Sequence, residues 1–307
     1  MKINSVAICG LGAVGAVVGE QLKTVLGNQL YCIVDEERKN RYQKNGIYIN
    51  QIKQNFNYIT PDQIKPVDLV IISTKNLQLD KALEEIEKAV GPETMILSLL
   101  NGIQSEAEIT KKYGAEKTLY GFIIDLQSIN LNGKITCSGK GTIVFGEHDN
   151  CTSQRLMAVK ELFDSAKISS KIPEDIHFEI WKKFLINTVF NSLGAITRST
   201  YGGFKFDSMQ SLVRKVGYEV VKVANAEGIA LTNQLLEEDI KMTLGYNPLG
   251  KCSMLQDTEA GRKTENDYFC GTVCKLGKKH NLPTPYCEFL GQLLQGTQEV
   301  RTLSKSR

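Results

Sequence analysis

The stretch Val6-Ala7-Ile8-Cys9-Gly10-Leu11-Gly12-Ala13-Val14-Gly15 decides how this chain is read. An apolar run with strand character enters Gly-x-Gly-x-x-Gly, and helix-compatible residues follow from Ala13 to Val25. The three glycines serve different ends. Gly10 turns the chain off the strand, Gly12 lets the backbone approach a pyrophosphate, and Gly15 lets the helix lie close to the sheet. The free N–H groups of Leu11, Ala13 and Val14 at the helix start complete a cradle for phosphate charge. Leu30-Tyr31-Cys32-Ile33-Val34-Asp35 then reads as a second strand ending in an acid. Asp35 lies about twenty residues beyond the last glycine, where a ribose ligand is expected. A purely structural glycine turn is the alternative, and the flanking strand, helix and acid argue against it.

Working outward, short apolar runs alternate with amphipathic stretches through the first half. Strands are expected at Gly46–Asn50, Phe56–Ile59, Val67–Ser73, Met95–Ser98, Leu119–Ile124 and Thr142–Phe145, with helices at Leu77–Val90 and Ser153–Ser165. Val67 to Ser73 is nearly all apolar, as a strand covered on both faces should be. After Pro173 the helical period takes over, at Phe178–Leu193, Ser208–Glu227, Gln234–Thr243, Ser253–Leu276 and Pro285–Val300. The expectation is an α/β fold: a Rossmann-type domain over 1–172 with a mostly parallel sheet, then an all-helical domain over 173–307 that carries substrate and catalysis.

Composition narrows the function. A chain of 307 residues with 42% hydrophobic and 23% charged residues can hold two cores. A net charge of +3, with lysines and arginines scattered, gives no nucleic-acid footprint. The apolar run from Val6 to Val18 imitates a signal peptide but holds the phosphate-binding glycines, and no segment has the roughly twenty apolar residues a membrane span needs. Eight dispersed cysteines without a Cys-x-x-Cys pair suit reduced thiols in the cytoplasm. The isolated His148, His177 and His280 suggest no metal site.

Three patches could carry chemistry. Thr74-Lys75 and Asn101-Gly102 each follow a strand end, where parallel sheets bind ligands. Lys75 could meet cofactor phosphate or ribose, and Asn101 a group near a nicotinamide; a surface lysine and an ordinary turn are the plain alternative. Lys183, Asn187 and Asn191 recur at a four-residue step, which drifts only about 40° per step on a helix. Two amides and an ammonium among apolar neighbours call for a polar partner. Ser253, Asp257, Gly261 and Glu265 repeat the same step, although Ser253 with Gln256 could form a capping box and Asp257 with Arg262 an ion pair.

At these residues the chain resembles the ketopantoate reductase (2-dehydropantoate 2-reductase) family over nearly its whole length. The resemblance rests on Gly10-x-Gly12-x-x-Gly15, Thr74-Lys75, Asn101-Gly102, Lys183-x3-Asn187-x3-Asn191, Ser253-Met254-Leu255-Gln256-Asp257 with Thr264-Glu265, and Leu282-Pro283-Thr284-Pro285. It implies an active site between the two domains and a place in pantothenate synthesis. It makes Lys183 the general acid and Glu265 the group that holds or tunes it. Asn101, Asn187, Asn191 and Ser253 become substrate ligands, and Lys75 and Asn101 cofactor ligands. The partner is a small 2-keto acid, with a homodimer as a candidate assembly. Three departures stand out. The family's usual arginine for the 2′-phosphate of NADPH is replaced by Asp35, which favours NAD(H) over the NADP(H) that the resemblance implies, with Arg38 and Arg41 nearby. Gly250 stands where some members carry a substrate-binding asparagine, and Ser192 where proline is common. Another small 2-keto acid is therefore an open substrate. A non-catalytic nucleotide-binding redox sensor is a further alternative, but it would have no use for a proton donor.

Overall fold

A computed structural model describes residues 1–126 and 128–305. The chain divides into two compact units, Met1–Ile176 and His177–Arg307, the division falling a few residues beyond the one expected from sequence.

In the first unit, β1 (Val6–Cys9), β2 (Leu30–Ile33), β5 (Asn57–Ile59), β6 (Leu69–Ile72), β7 (Met95–Ser98), β8 (Thr118–Ile124), β11 (Thr142–Gly146) and β12 (Ser169–Lys171) form one sheet in the order β12-β11-β8-β7-β6-β1-β2-β5. Only the β8–β11 pair is antiparallel. β1 is buried throughout and flanked by β2 and β6, with Val6 opposite both Leu30 and Leu69. The chain leaves β1 toward one side of the sheet and later returns to its other side. The carboxyl end of β1 is therefore a topological switch point, where such sheets bind ligands.

Alternate residues of these strands feed two cores. Val6, Ile8, Cys32 and Ile71 pack with α1 (Ala13–Leu26) and α5 (Gln154–Ser165) through Val17, Leu22, Val159 and Phe163. Ala7, Cys9, Val70 and Ile72 pack on the opposite face with α3 (Leu79–Glu85) and α4 (Ser105–Tyr113) through Leu83 and Ile109. Burying one such aliphatic side chain contributes about 1.5–3 kcal/mol, so the layers hold the sheet firmly.

A second sheet, in the order β4-β3-β10-β9, comprises β3 (Ile47–Ile49), β4 (Ile52–Gln54), β9 (Ser128–Leu131) and β10 (Lys134–Cys137). Its two hairpins close on Asn50-Gln51 and Asn132-Gly133, all four with positive φ, as tight hairpin turns require. Strands β4, β9, β10 and β12 go beyond those expected from sequence, as do helices α2 (Glu36–Asn45) and α4. The helix expected at Leu77–Val90 is shorter, with α3 flanked by 3-10 turns at Asn76–Gln78 and Glu87–Ala89.

The second unit is helical. α6 (Ile176–Ile186) runs into a π-helical turn at Asn187–Asn191 and on into α7 (Ser192–Thr197). There follow α8 (Asp207–Ala226), α9 (Asn233–Leu244), α10 (Ser253–Glu259), α11 (Cys270–Lys279) and α12 (Pro285–Lys305). The single helix expected over Ser253–Leu276 is broken. Gly261 takes φ +66°, its N–H bonds Thr258 O and the Arg262 N–H bonds Asp257 O, a Schellman closure that ends α10. Among the described residues no helix is long and apolar enough to cross a membrane.

On α9, Asp239 and Thr243 sit one turn apart on the buried side with Leu236 and Ile240. Asp239 Oδ2 and Thr243 Oγ1 have no hydrogen-bond partner. Burial pushes the Asp239 carboxyl up to about 6, against the opposing pull of Lys182. Because the fold prefers the protonated form, stability falls as pH rises from about 4 to about 6 and then levels. Asp239→Asn should therefore gain on the order of 1–3 kcal/mol above pH 7 and little at pH 4, measured by urea unfolding at both. A pH-independent difference would show that this carboxyl does not titrate inside the fold.

Candidate functional site

The glycine turn is held from the neighbouring strand. Ser73, just past β6, donates its N–H to Cys9 O at 2.9 Å and its hydroxyl to Gly10 O at 2.7 Å. Gly10 has φ +103°, and a Cβ there would stand 2.7 Å from Ser73 C and Thr74 N. A Cβ on Gly15 would lie 1.9 Å from Gly10 O, so these two glycines are required by the chain itself. Gly12 differs: a Cβ there meets no protein atom within 4 Å. It is the extended N-cap of α1, whose first α-helical bond is Ala16 N–H to Gly12 O at 3.1 Å. No side chain caps that end and no acid lies in its first turn. The preceding helical N–H groups thus have no intrahelical acceptor. Thr74 Oγ1 beside the turn is buried with no partner. Open space over Gly12, uncapped donors and an unmatched hydroxyl fit a dinucleotide's phosphates.

Asp35 lies beyond β2 and caps α2. Its Oδ1 accepts the Arg38 N–H at 2.8 Å, and its Oδ2 accepts Arg38 Nε at 3.0 Å and Lys81 Nζ at 3.2 Å. Partial burial works against its charge, but the Arg38 N–H, Lys81 and the Arg38 guanidinium outweigh it and hold the carboxyl below its ordinary range. A carboxylate has about four acceptor positions, and three are taken. The remaining one suits a hydroxyl donor.

Lys75 and Asn101 stand at the ends of the adjacent strands β6 and β7. Lys75 precedes the 3-10 turn and its carbonyl accepts Gln78 N–H at 2.9 Å. Asn76 Nδ2 donates to Asn101 O at 2.8 Å, tying the two loops together. Both Lys75 and Asn101 are half-buried.

In the second unit, Trp181, Phe184 and Leu185 are buried and fix the rotation of α6, leaving Lys183 and Asn187 on its half-buried flank. Phe184 meets Trp181 edge-on at 5.4 Å and stacks on Phe269 at 6.2 Å. Asn191 is buried, and its carbonyl accepts the Cys252 thiol at 3.8 Å, so the head of α10 docks on the π turn. Ser253 is the first residue of α10 and is exposed. Cys252 is the N-cap, and the alternative of a Ser253 capping box is not formed: Gln256 Nε2 bonds Lys251 O instead.

Because α10 ends at Glu259, the four-residue ladder from Ser253 to Glu265 on one helix does not exist. Asp257 instead pairs with Arg262 Nε at 2.8 Å. Glu265, 7% exposed, opens a 3-10 turn of its own. Both its neighbours are held by α12: Thr264 N–H bonds Gln298 Oε1 at 2.9 Å, and Asn266 Nδ2 bonds Gly291 O at 3.0 Å. Gly250 has no room for an asparagine, since a Cβ would lie 2.9 Å from Asn247 O and from Tyr201 Cδ2. Lys81, which reaches Asp35, and Glu85, which pairs with Lys81 and Arg38, go beyond the residues expected from sequence; their i, i+4 spacing is the available signal.

A glycine turn at the switch point of a parallel sheet marks a dinucleotide site, and the family matches make the chain an oxidoreductase acting on the CH–OH group of a hydroxy acid or its keto form. The family model described as ketopantoate reductase PanE/ApbA matches residues 6–150, and its C-terminal counterpart matches residues 175–298. The chain belongs to the ketopantoate reductase PanE/ApbA family. A 2-dehydropantoate 2-reductase of Streptococcus pyogenes serotype M3 is 26% identical over 306 residues, covering 96% of this chain and 98% of its own. The ternary structure of D-mandelate dehydrogenase with NADH and anilino(oxo)acetate has a TM-score of 0.85 at 27% identity, covering 96% of this chain and 99% of that one. The 2-dehydropantoate 2-reductase from Geobacter metallireducens GS-15 has a TM-score of 0.85 at 26% identity, covering 95% and 99%.

The two crowded glycines and the open one should separate by mutation. Gly12→Ala should leave thermal stability unchanged and weaken nucleotide binding by roughly tenfold or more, because its methyl occupies the phosphate's space. Gly15→Ala should destabilise the fold by about 1–3 kcal/mol or more through overpacking. Thermal melts and NADH titration of both variants check this.

Proposed function

We propose that this protein reduces a 2-keto acid to the 2-hydroxy acid, with ketopantoate as substrate and pantoate for pantothenate synthesis as product, and that it prefers NADH. The observation that supports this most is the stripe of Lys183, Asn187 and Asn191 running from the last turn of α6 through a π turn, in a chain of this family. The reduced nicotinamide, when bound, supplies a hydride to the 2-keto carbon. Lys183 offers an ammonium to the carbonyl oxygen, stabilising the negative charge that develops there and then delivering the proton. Glu265, fixed between two contacts from α12, orients that amine or adjusts its proton affinity. Asn101, Asn187, Asn191 and Ser253 hold the carboxylate and hydroxyl of the substrate. Gly10 to Gly15, Lys75, Asn101 and Asp35 hold the nucleotide.

The preference for NADH follows from Asp35, a charged carboxylate with one acceptor position left for a ribose 2′-hydroxyl. A second reading, a 2-keto acid with an aryl side chain and no second hydroxyl, is favoured by Gly250, where crowding rules out an asparagine that would bind such a hydroxyl. The D-mandelate dehydrogenase structure is consistent with that alternative.

Steady-state assay of ketopantoate, 2-oxoisovalerate and an aryl 2-keto acid with both nucleotides tests the reading. Ketopantoate with NADH should give the highest kcat/KM. Faster aryl turnover would install the second reading, and no turnover of any of them would refute both. Lys183→Ala should lower kcat by roughly 10²- to 10⁴-fold with NADH affinity retained. Full activity in that variant would remove Lys183 from the mechanism.

A further inference from the structure

The end of β2 carries more charge than a ribose ligand needs. Arg38 reaches Asp35 Oδ2 through Nε at 3.0 Å and Glu85 Oε1 through Nη2 at 2.5 Å. Lys81 lies 3.2 Å from Asp35 Oδ2 and 3.5 Å from Glu85 Oε1. Two acids and two cations therefore share one cluster of formal charge zero. Glu85 is its buried member, 8% exposed, and its other oxygen accepts the Cys9 thiol at 3.7 Å. Cys9 is the last residue of β1, immediately before the glycine turn.

We infer that Glu85 is a nucleotide-selectivity residue that works by holding Arg38 and Lys81 away from a 2′-phosphate. The inference rests on the proposed seating of the ribose beside Asp35. One acid facing two cations would leave a net positive charge, which welcomes a phosphate. A guanidinium with a free outer edge is the best side-chain partner a phosphate can find. Glu85 takes up that edge through Nη2 and brings the local charge to zero. A 2′-phosphate, carrying about −1.5 to −2, would then meet two carboxylates, with both cations of the cluster committed to them. A 2′-hydroxyl needs only one acceptor position and is unaffected. Because Glu85 packs on β1 under the glycine turn, its place is set by the sheet and does not depend on the bound nucleotide.

The test is the ratio of Kd for NADPH to Kd for NADH, read by fluorescence titration of the full-length protein. Glu85→Gln keeps the shape and the Arg38 contact but drops the charge, and should lower the ratio by about tenfold or more. Glu85→Asp, which keeps the charge, should leave it closer to the parent. Adding Arg38→Gln to Glu85→Gln should restore discrimination. Lys81→Gln, at a side chain 63% exposed and so safe for folding, should widen the ratio. A purely structural role would shift thermal stability and both dissociation constants together, leaving the ratio fixed, and that result overturns the inference. Asp35→Asn separates the two levels. If it relaxes the ratio while Glu85→Gln does not, Glu85 has no such role and the ribose seating stands. If neither variant moves it, the seating itself is wrong.

Discussion

Everything in the first unit depends on how closely α1 approaches the end of β1. The Ser73 hydroxyl binds Gly10 O, and Gly15 passes so near that same carbonyl that no side chain fits between them. This contact sets the direction of α1 and so aims its unbonded N–H groups over the switch point. It also explains why three glycines of one motif have unlike tolerances. Two are constrained by protein atoms, and the third faces open space.

The second unit solves a different problem, that of presenting polar groups from a largely apolar rod. Phe184 and Leu185 anchor α6, and the Phe184–Phe269 stack links it to the segment just after Glu265. α12 then fixes Glu265 by holding the residues on either side of it. Such support sets the acid's position through the residues on either side of it. The buried Asp239 shows the opposite arrangement, a carboxyl with an unmatched oxygen whose ionisation opposes the fold.

Much of this is legible in the residues. The glycine turn, the buried strands and the order of strands and helices follow from patterns local to a few residues. α2 escapes such a reading because Glu36–Asn45 has no buried residue and hence no apolar face to read. Its signals are electrical: an Asp35 cap, Glu36 and Glu37 at the start and Lys44 at the end. The β9–β10 hairpin escapes it too, although Asn132-Gly133 is a strong turn signal, because its strands are short and half exposed. Gly261 carries the end of α10, and an unbroken four-residue polar spacing hides it. Lys81 and Glu85 are legible as an i, i+4 pair, but the contact of Lys81 with Asp35 is not, since only the sheet order brings α3 to the end of β2.

The π turn at Asn187–Asn191 has a consequence for how this helix can change. In an α-helix a step of four residues overshoots a full circle by about 40°, whereas a wider turn closed by i→i+5 bonds rotates each residue less. The overshoot from Lys183 to Asn187 is therefore offset between Asn187 and Asn191. A regular α-helix over these same residues would carry Asn191 about 80° around the axis from Lys183. The most regular helix this segment could form is thus out of phase with its own amine, and a local irregularity is what keeps the three polar groups in line.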